Sequence, residues 1–535
     1  MLRPLLLLAA LGLLVAGDDP DAWRSALLSA DARWRQAAQE LAFNNESDPQ
    51  TLDPGRMTGV LESRLALCLF EGLVVRDPRT LEPRPGLARS WTASADGLAW
   101  TFHLRPDARW SDGAPLTAAE VAASWRRVLD PALASEYAYM LFPIAGAEAF
   151  HRGTGPWSAV GVAASGAHVL HVRLHQRTPW FLDLCAFPTL LPVRTELADA
   201  EGRWTRSGMI SNGPFMLRER KDRQHIILEP NPHYWDRTRV RLTRITARPI
   251  ESGETAWKLF QAGELHWTPT VPIDRIDEIK RHPDYYAAPN YALYYYRFNV
   301  TRAPFDDVRV RRAFALATDR ERITRTVTRG GEIPTAWYVP RSGTATGPGL
   351  AFDVAAARRE LAAAGYAVPG GSGGRPLPEI PLLYNTKESH KLIAEALAQQ
   401  WQEHLGARIR LENAEWKVYL DRLTRLDYTL GRSSWSGDYL DPNTFLDMMV
   451  TDGGNNRTGW SLPEYDRLVA ASQAEADPTR RAGLLLRLER LLTVEHLPVL
   501  PLYTSVSKGL LSEKVHGLHA NLLDHRPLQF AWLEP

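Results

Sequence analysis

The chain has 535 residues, and 44% of them are hydrophobic. This is too long for a single hydrophobic core and predicts about three domains. Its 63 Lys and Arg residues balance 62 Asp and Glu residues. A balanced charge provides no basic surface for phosphates, so we expect neither a nucleic acid nor an anionic membrane as a partner.

Residues 1–17 predict a secretory signal peptide. Arg3 precedes an apolar run that ends at Val15, and two small residues follow, the second of which is Gly17. The run is too short to span a bilayer, and no cysteine follows it to accept a lipid. We therefore expect cleavage near Gly17 and a soluble, periplasmic protein, with an uncleaved anchor as the alternative.

Two further features of the N-terminal part allow more than one interpretation. Residues 18–40 mix apolar and charged side chains in a helix-compatible pattern, which indicates a surface helix or a mobile arm. Cys68 and Cys185 are the two cysteines of the chain. Export permits a disulfide between them, and two buried thiols are the alternative.

The first half of the chain predicts a helix over 60–73, and then a strand and a second helix. Residues 100–105 alternate between apolar and polar side chains, the period of two that is typical of a half-buried strand. Thr117 and Glu120 form a capping box, in which each side chain satisfies a free amide at a helix start. This second helix is expected to extend to Val128.

The second half of the chain predicts α/β structure. Residues 291–299 form the most aromatic strand pattern in the sequence, and residues 382–386 begin a strand–helix–strand order. The intervening helix keeps its apolar residues on one face and stops at Gly406, before a strand at 408–411. Because two strands joined by a helix pair in parallel, this region predicts an α/β fold.

A loop at 435–442 holds the most specific candidate binding group. Pro442 disfavours a helical conformation in the residue before it, which predicts a loop. Asp438 stands between Trp435 and Tyr439 in the sequence. A carboxylate with aromatic walls suits a cation removed from water, since hydrogen bonds to ions are stronger than neutral ones. An exposed turn with a solvated carboxylate is the alternative.

Familiar catalytic and cofactor motifs are missing from the sequence. It has no zinc-protease H-E-x-x-H, no GxxxxGK[ST] phosphate loop and no C-x-x-C pair. We therefore expect no metal site, no cofactor and no enzymatic activity, although separated residues can still assemble a catalytic triad.

Several stretches, taken together and in order, resemble the periplasmic oligopeptide-binding proteins of ABC importers, within the peptide/nickel-type solute-binding family 5. The resemblance spans residues 41–505 and points to the oligopeptide and murein-peptide branch. The matching stretches are Leu52-Asp53-Pro54, Phe70-Glu71-Gly72-Leu73, Trp100-Thr101-Phe102-His103-Leu104-Arg105, Trp110-Ser111-Asp112-Gly113, Pro304-Phe305-Asp306-Asp307-Val308-Arg309-Val310-Arg311, Tyr384-Asn385-Thr386, Glu415-Trp416-Lys417 and the loop at 435–442.

The resemblance implies an α/β fold of the class II, cluster C type, with two lobes, a hinge and an extra inserted domain. Residues 41–70, 194–291 and 504–535 are expected to form the first lobe. Residues 71–193 would form the inserted domain, and residues 292–503 the second, ligand-binding lobe. The lobes would close over a ligand held in the cleft between them.

The resemblance also implies a set of ligand-binding residues. Asp438 matches the position that holds the ammonium group of the ligand, with Trp435 beside it. Arg432 and His390 match positions that receive the ligand carboxylate, with a structural ion pair as the alternative. The expected walls and backbone contacts of the cleft are Trp416, Asn455, Tyr439, Tyr503, Val60 and Tyr137.

Three departures from the family pattern bear on this site. A family arginine seven residues after Trp416 is Leu423 here, and a family acidic residue is replaced near Thr58. A family disulfide is lost, because neither Ser436 nor the position near Ala292 is a cysteine. The anchoring of the ligand carboxylate, and hence the preferred peptide length, stays open.

The resemblance predicts an extracytoplasmic binding protein that captures short peptides and delivers them to an inner-membrane ABC permease complex, working as a monomer. A binding protein for another ligand, such as murein tripeptide or a metal chelate, is the first alternative. A peptidase or a sensory protein on the same fold is the second.

Overall fold

A computed structural model describes residues 20–27, 33–198, 203–206, 208–340 and 349–535. The predicted signal peptide lies outside these residues. Within the described ranges, no helix combines the length and the apolar character that a bilayer span needs.

Strands in the described residues join into one large mixed sheet and three small sheets. They are β1 Glu40–Asn44, β2 Val74–Arg76, β3 Pro83–Pro85, β4 Ala88–Ala93, β5 Ala99–Leu104, β6 Val162–Ser165, β7 Val169–Arg173, β8 Phe215–Lys221, β9 His225–Pro230, β10 Arg244–Arg248, β11 Trp267–Thr268, β12 Tyr285–Phe298, β13 Ile333–Pro334, β14 Ile380–Asn385, β15 Ile409–Ala414, β16 Leu430–Ser436, β17 Val499–Leu511, β18 Val515–His516 and β19 Trp532–Leu533.

Helices pack around these sheets and contribute further core residues. They are α1 Ala22–Leu27, α2 Val60–Leu69, α3 Ala118–Leu129, α4 Ala147–His151, α5 Phe181–Cys185, α6 Gly253–Gln261, α7 Ile276–Ile279, α8 Val308–Leu316, α9 Arg320–Ile323, α10 Val354–Ala363, α11 Glu388–Leu405, α12 Trp416–Thr424, α13 Asn443–Leu446, α14 Pro463–Ala474 and α15 Pro478–Arg490.

The large sheet runs through both lobes in the order β15-β14-β16-β12-β17-β11-β1-β10-β9-β8. Its two central strands, β12 and β17, are long and pair antiparallel with each other. Their register shifts between Pro289 and Leu293, beside the predicted lobe boundary at 291/292. Because a bulge interrupts regular pairing and bends a strand, we expect the chain to flex there. The lobe boundaries themselves remain predictions.

The predicted strand–helix–strand unit of the second lobe is confirmed. β14 and β15 pair in parallel, and α11 connects them. Trp401 of α11 is fully buried and donates a hydrogen bond to the carbonyl oxygen of Phe314, 3.2 Å away. Gly406 ends the helix with φ of 70°, a left-handed conformation that glycine adopts without strain.

Residues 71–193, the predicted inserted domain, contain a separate four-stranded sheet and most of one core cluster. β4, β5, β7 and β6 form this sheet, and α3 begins with the predicted capping box of Thr117 and Glu120. Trp125 of α3 is fully buried and donates a hydrogen bond of 2.9 Å to the carbonyl oxygen of Leu190. The apolar side of this helix therefore packs as its sequence pattern predicts.

The described part of the segment before the predicted first lobe contains α1, a short helix with exposed Ala22 and Ser25, and a buried arginine holds it against the protein. Arg24 in α1 is fully buried and forms ion pairs of 3.2 Å with both Glu71 and Asp236. Its guanidinium also lies 4.6 Å from the centroid of the Trp235 ring. The sequence pattern could not show this, because the acidic partners lie 47 and 212 residues away.

Both cysteines are buried free thiols, so the disulfide alternative is not formed. Burial raises the pKa of Cys68 to about 12, which keeps this thiol protonated and unreactive at neutral pH.

Candidate ligand-binding cleft

Three adjoining cavities are lined by residues from the predicted first lobe, inserted domain and second lobe. The first cavity, about 390 Å³, contains Asp438, and the second, about 550 Å³, contains Arg432. Trp416 and Trp435 line both of these cavities. The third cavity, about 720 Å³, shares Asn455 with the second. The shared walls join the three cavities into one cleft.

The end of β16 fixes the loop that carries Asp438. The Gly437 amide donates a hydrogen bond of 2.8 Å to the carbonyl oxygen of Tyr291 on β12. A Cβ atom at Gly437 would overlap the Tyr291 ring, so this close approach requires glycine. The Asp438 amide donates to the Thr444 hydroxyl at 3.1 Å. These two bonds hold the Asp438 carboxyl at the edge of the first cavity.

The Asp438 carboxyl is a half-buried acid with no cationic side chain within 4 Å among the described residues. Burial and the neighbouring Asp447 raise its pKa from 3.8 to about 8, and Arg76 and Thr444 oppose this shift. Burial and Asp441 likewise raise the pKa of Asp447 to about 7. A cation entering the first cavity would relieve this unfavourable burial of negative charge.

Four predicted wall residues line the first cavity together with Asp438. They are Trp435, Trp416, Val60 and Tyr137. Trp416 is 45% exposed and stacks on Tyr419 with ring centroids 5.5 Å apart. Val60, the first residue of α2, is 57% exposed. Apolar side chains exposed in this way gain free energy when a ligand covers them.

Arg432 lines the second cavity as a buried cation with neutral partners. Its guanidinium donates to the Asn385 side-chain oxygen at 3.3 Å and to the Ser434 hydroxyl at 3.0 Å. It also lies 4.5 Å from the centroid of the Tyr294 ring. A carboxylate in this cavity would find an unpaired positive charge.

His390 and Tyr503 lie behind Arg432 and line none of the three cavities. Tyr503 stacks on Tyr294 with centroids 4.9 Å apart, and the Tyr294 hydroxyl is 3.2 Å from Nδ1 of His390. Burial and the charge of Arg432 hold the pKa of His390 well below its usual range. In this structure, these two residues support the Tyr294–Arg432 contact.

Tyr439, which the sequence predicts as a wall of the Asp438 carboxylate, does not line the first cavity. Its ring stacks on Trp180 of the inserted domain, with centroids 5.6 Å apart, and lines the third cavity. Asn455 lines the second and third cavities, and its carbonyl oxygen accepts a hydrogen bond of 2.6 Å from Arg297. Of the two aromatic neighbours of Asp438 in sequence, Trp435 alone shares its cavity.

The departures from the family pattern lie where the resemblance predicts them. Leu423 is buried and lines the second cavity, so it removes a positive charge from that wall. The arginines on either side of it, Arg422 and Arg425, pair with Glu412 and Asp421. Ala292 and Ser436 are direct register partners of β12 and β16.

Three arginines at the cleft were not predicted from the sequence. Arg76 of β2 donates a hydrogen bond of 2.9 Å to the carbonyl oxygen of Asp438 and pairs with Asp183 at 3.2 Å. Arg297 and Arg457 line the second cavity beside Arg432. No local pattern marks these residues, because the chain brings them together from separate elements.

Comparisons with known proteins agree with this architecture. A family model described as bacterial extracellular solute-binding proteins, family 5 middle, matches residues 82–457. The oligopeptide-binding protein OppA of Bacillus subtilis (strain 168) is 36% identical over 491 residues, which cover 89% of this chain and 90% of that protein.

Two solved structures show the same fold. The murein tripeptide binding protein MppA of Escherichia coli superposes with a TM-score of 0.85 at 32% identity, covering 95% of this chain and 99% of that chain. Haemophilus influenzae OppA in complex with RPPGFSPFR superposes with a TM-score of 0.82 at 29% identity, covering 95% and 100%.

The matches extend over nearly the whole chain and confirm the predicted two-lobed α/β fold. The family model alone spans more than half of the residues. The chain therefore belongs to the bacterial extracellular solute-binding proteins of family 5.

Proposed function

We propose that this protein captures short peptides in the cleft and delivers them to an ABC-type importer. The observation that carries this proposal is the half-buried Asp438 carboxyl, which has no cationic side chain within 4 Å among the described residues and opens onto the first cavity. The α-ammonium group of a peptide has the charge and the size to fill this position. Trp435 would shield the resulting ion pair from water.

The edge of β16 supports an extended peptide as the ligand. β14 pairs with β16 at Leu430 and Gly431 and, among the described residues, no strand continues this side of β16 up to Ser436. Ser434 and Trp435 of this edge line the first and second cavities. Main-chain hydrogen bonds to such an edge bind any peptide sequence, so affinity and side-chain preference become separate properties.

The relatives support the same assignment and the cellular setting. One is named an oligopeptide-binding protein, and another is solved with RPPGFSPFR bound. Within the proposal, residues 1–17 direct export and are removed near Gly17. The mature protein then works as a monomer in the periplasm and passes its peptide to an inner-membrane permease complex.

A tryptophan-fluorescence titration with a tripeptide and its N-acetylated form tests the proposal. We expect saturable binding of the free peptide, and loss of most affinity either on acetylation or in Asp438→Asn. Asp107→Asn, an exposed carboxyl outside the cleft, is the matched control. A folded wild-type protein that binds no mixture of di- to hexapeptides would contradict the proposal.

Prolonged incubation of the purified protein with peptides tests whether it is a carrier or a peptidase. We expect peptides incubated with it for hours to be recovered unchanged by mass spectrometry. If peptides were hydrolysed, and the activity stayed with the protein through further purification, the protein would be an enzyme and not a carrier.

A further inference from the structure

The second cavity is strongly cationic. Three of its lining residues are Arg297, Arg432 and Arg457, whereas Glu136 is the single acid among its described lining residues. Arg297 is 4% exposed, and its guanidinium donates to three neutral acceptors, on Ser433, Asn455 and Tyr295. Within the described ranges, the positive charge of Arg297 therefore meets no carboxylate within 4 Å.

Arg432 adds a second buried cation to the same wall. It is 7% exposed, and its hydrogen-bond acceptors, Asn385 and Ser434, are both neutral. Its Nε atom is buried and has no acceptor in the part of the chain that the structure describes. A buried, charged group with an unsatisfied donor raises the free energy of the folded protein. An acceptor from a bound ligand would remove this cost.

Arg457 is the least satisfied of the three. Among the described residues, its guanidinium has no carboxylate within 4 Å, and its buried Nε has no acceptor. Burial and the charge of Arg297 lower its pKa, whereas Glu136 raises it without forming an ion pair. Arg457 lines both the second and the third cavity, so it stands at their junction.

A guanidinium presents its donors in a planar fork that matches a carboxylate with two parallel hydrogen bonds. Leu423 lines the same cavity at the position where the family pattern has an arginine. We propose that Arg457 is a ligand-binding residue that receives a carboxylate of the bound peptide and supplies the charge that Leu423 does not. This inference rests on the proposed peptide-binding function.

The carboxylate has two possible sources, the C-terminus of the peptide or an acidic side chain. Isothermal titration with three peptides separates them: Ala-Gln-Ala, its C-terminal amide, and Ala-Glu-Ala. Each peptide is titrated into wild type, Arg457→Gln and Arg457→Lys. Arg467→Gln, an exposed arginine with no ion pair within 4 Å in the described residues, is the control variant.

If Arg457 receives the C-terminus, wild type binds Ala-Gln-Ala at least about tenfold more tightly than the amide, a difference of about 1.4 kcal/mol. If it receives a side chain, wild type prefers Ala-Glu-Ala over Ala-Gln-Ala by a similar factor. In either case, Arg457→Gln removes the preference and changes the affinity for the peptide lacking that carboxylate less than twofold. Arg457→Lys retains part of the preference.

Thermal midpoints equal to wild type show that the variants are folded. Preservation of both preferences in Arg457→Gln would overturn the inference while the peptide-binding function stands. The inference would also be overturned if wild type bound all three peptides with equal affinity, so that it distinguished neither Ala-Gln-Ala from its amide nor Ala-Glu-Ala from Ala-Gln-Ala. Failure of all three peptides to bind would instead remove the proposed function, and this inference with it.

Discussion

Arg76 of β2 donates a hydrogen bond of 2.9 Å to the main-chain oxygen of Asp438, across the boundary between the predicted inserted domain and second lobe. The same guanidinium pairs with the Asp183 carboxylate and donates to the Asp183 carbonyl oxygen at 3.1 Å. One side chain thus connects the loop that carries the proposed ammonium site to the opposite side of the cleft. We therefore expect opening of the cleft to break this contact.

Replacing Arg76 should therefore weaken closure and peptide affinity. A hydrogen bond from a charged donor contributes about 1.5–3 kcal/mol, so Arg76→Gln should raise the Kd by about tenfold or more. Titration calorimetry measures the Kd, and small-angle scattering with saturating peptide measures the closed fraction. Arg84→Gln, a partly exposed arginine paired with Glu82, is the control. An unchanged Kd in Arg76→Gln would show that closure does not depend on this bond.

Peptide binding should depend on pH through Asp438. Its pKa of about 8 in the free cleft means that the neutral carboxyl dominates at pH 6. A bound ammonium favours the carboxylate, so binding below pH 8 must release a proton. Affinity should rise from pH 5 to pH 8 by up to about tenfold per unit. Calorimetry in buffers of different ionisation enthalpy counts the released protons, and a count of zero at pH 6 would contradict the assignment.

The same raised pKa predicts that Asp438 reduces the stability of the unliganded protein. Between about pH 4 and pH 8 the folded state holds a proton that the unfolded state has lost, so stability falls as the pH rises through this window. Asp438→Asn should raise the free energy of unfolding by about 1–3 kcal/mol at pH 8 and should change it little at pH 4. Urea denaturation at both pH values measures this, with Asp107→Asn as the control. Destabilisation at pH 8 would mean that Asp438 has a cationic partner in the free protein.

Local patterns predicted the elements whose stabilising contacts are also local. The capping box of Thr117 and Glu120 spans only four residues of sequence, and it is present. The parallel pair of β14 and β15 follows from the strand–helix–strand order alone. The family pattern likewise located Asp438, because a short stretch carries both the acid and its neighbours.

Contacts between distant elements were not predictable in the same way. Tyr439 faces Trp180, and the inserted domain that supplies this ring is encoded more than two hundred residues earlier. His390 lies behind Tyr294 rather than in the cleft wall, since the side-chain direction depends on how α11 packs against β12. Sequence spacing contains neither piece of information.

Trp416 offers a test of the apolar wall that is independent of the charges. Because it lines the first and second cavities and is 45% exposed, a bound peptide would cover it. Trp416→Ala should raise the Kd by about tenfold, since burial of an aromatic side chain contributes about 1.5–3 kcal/mol. The variant should also lose part of the fluorescence change on binding. Val418→Ala, an exposed neighbour on α12 outside the cavities, should bind like wild type. Equal affinity of Trp416→Ala and wild type would place the peptide elsewhere in the cleft.

Arg24 should stabilise the fold without taking part in binding. Its fully buried guanidinium pairs with Glu71 and Asp236, and it donates to the carbonyl oxygen of Pro85 at 3.1 Å. Removing one partner of a buried ion pair leaves an uncompensated charge, so Arg24→Ala should lower the free energy of unfolding by about 3–5 kcal/mol. The exposed Arg152, paired with Glu148, is the matched control, and its replacement by alanine should cost less than about 0.5 kcal/mol. At a temperature where Arg24→Ala remains folded, its Kd for a tripeptide should equal that of wild type. A large change in Kd with little change in stability would instead assign the N-terminal segment to the binding mechanism.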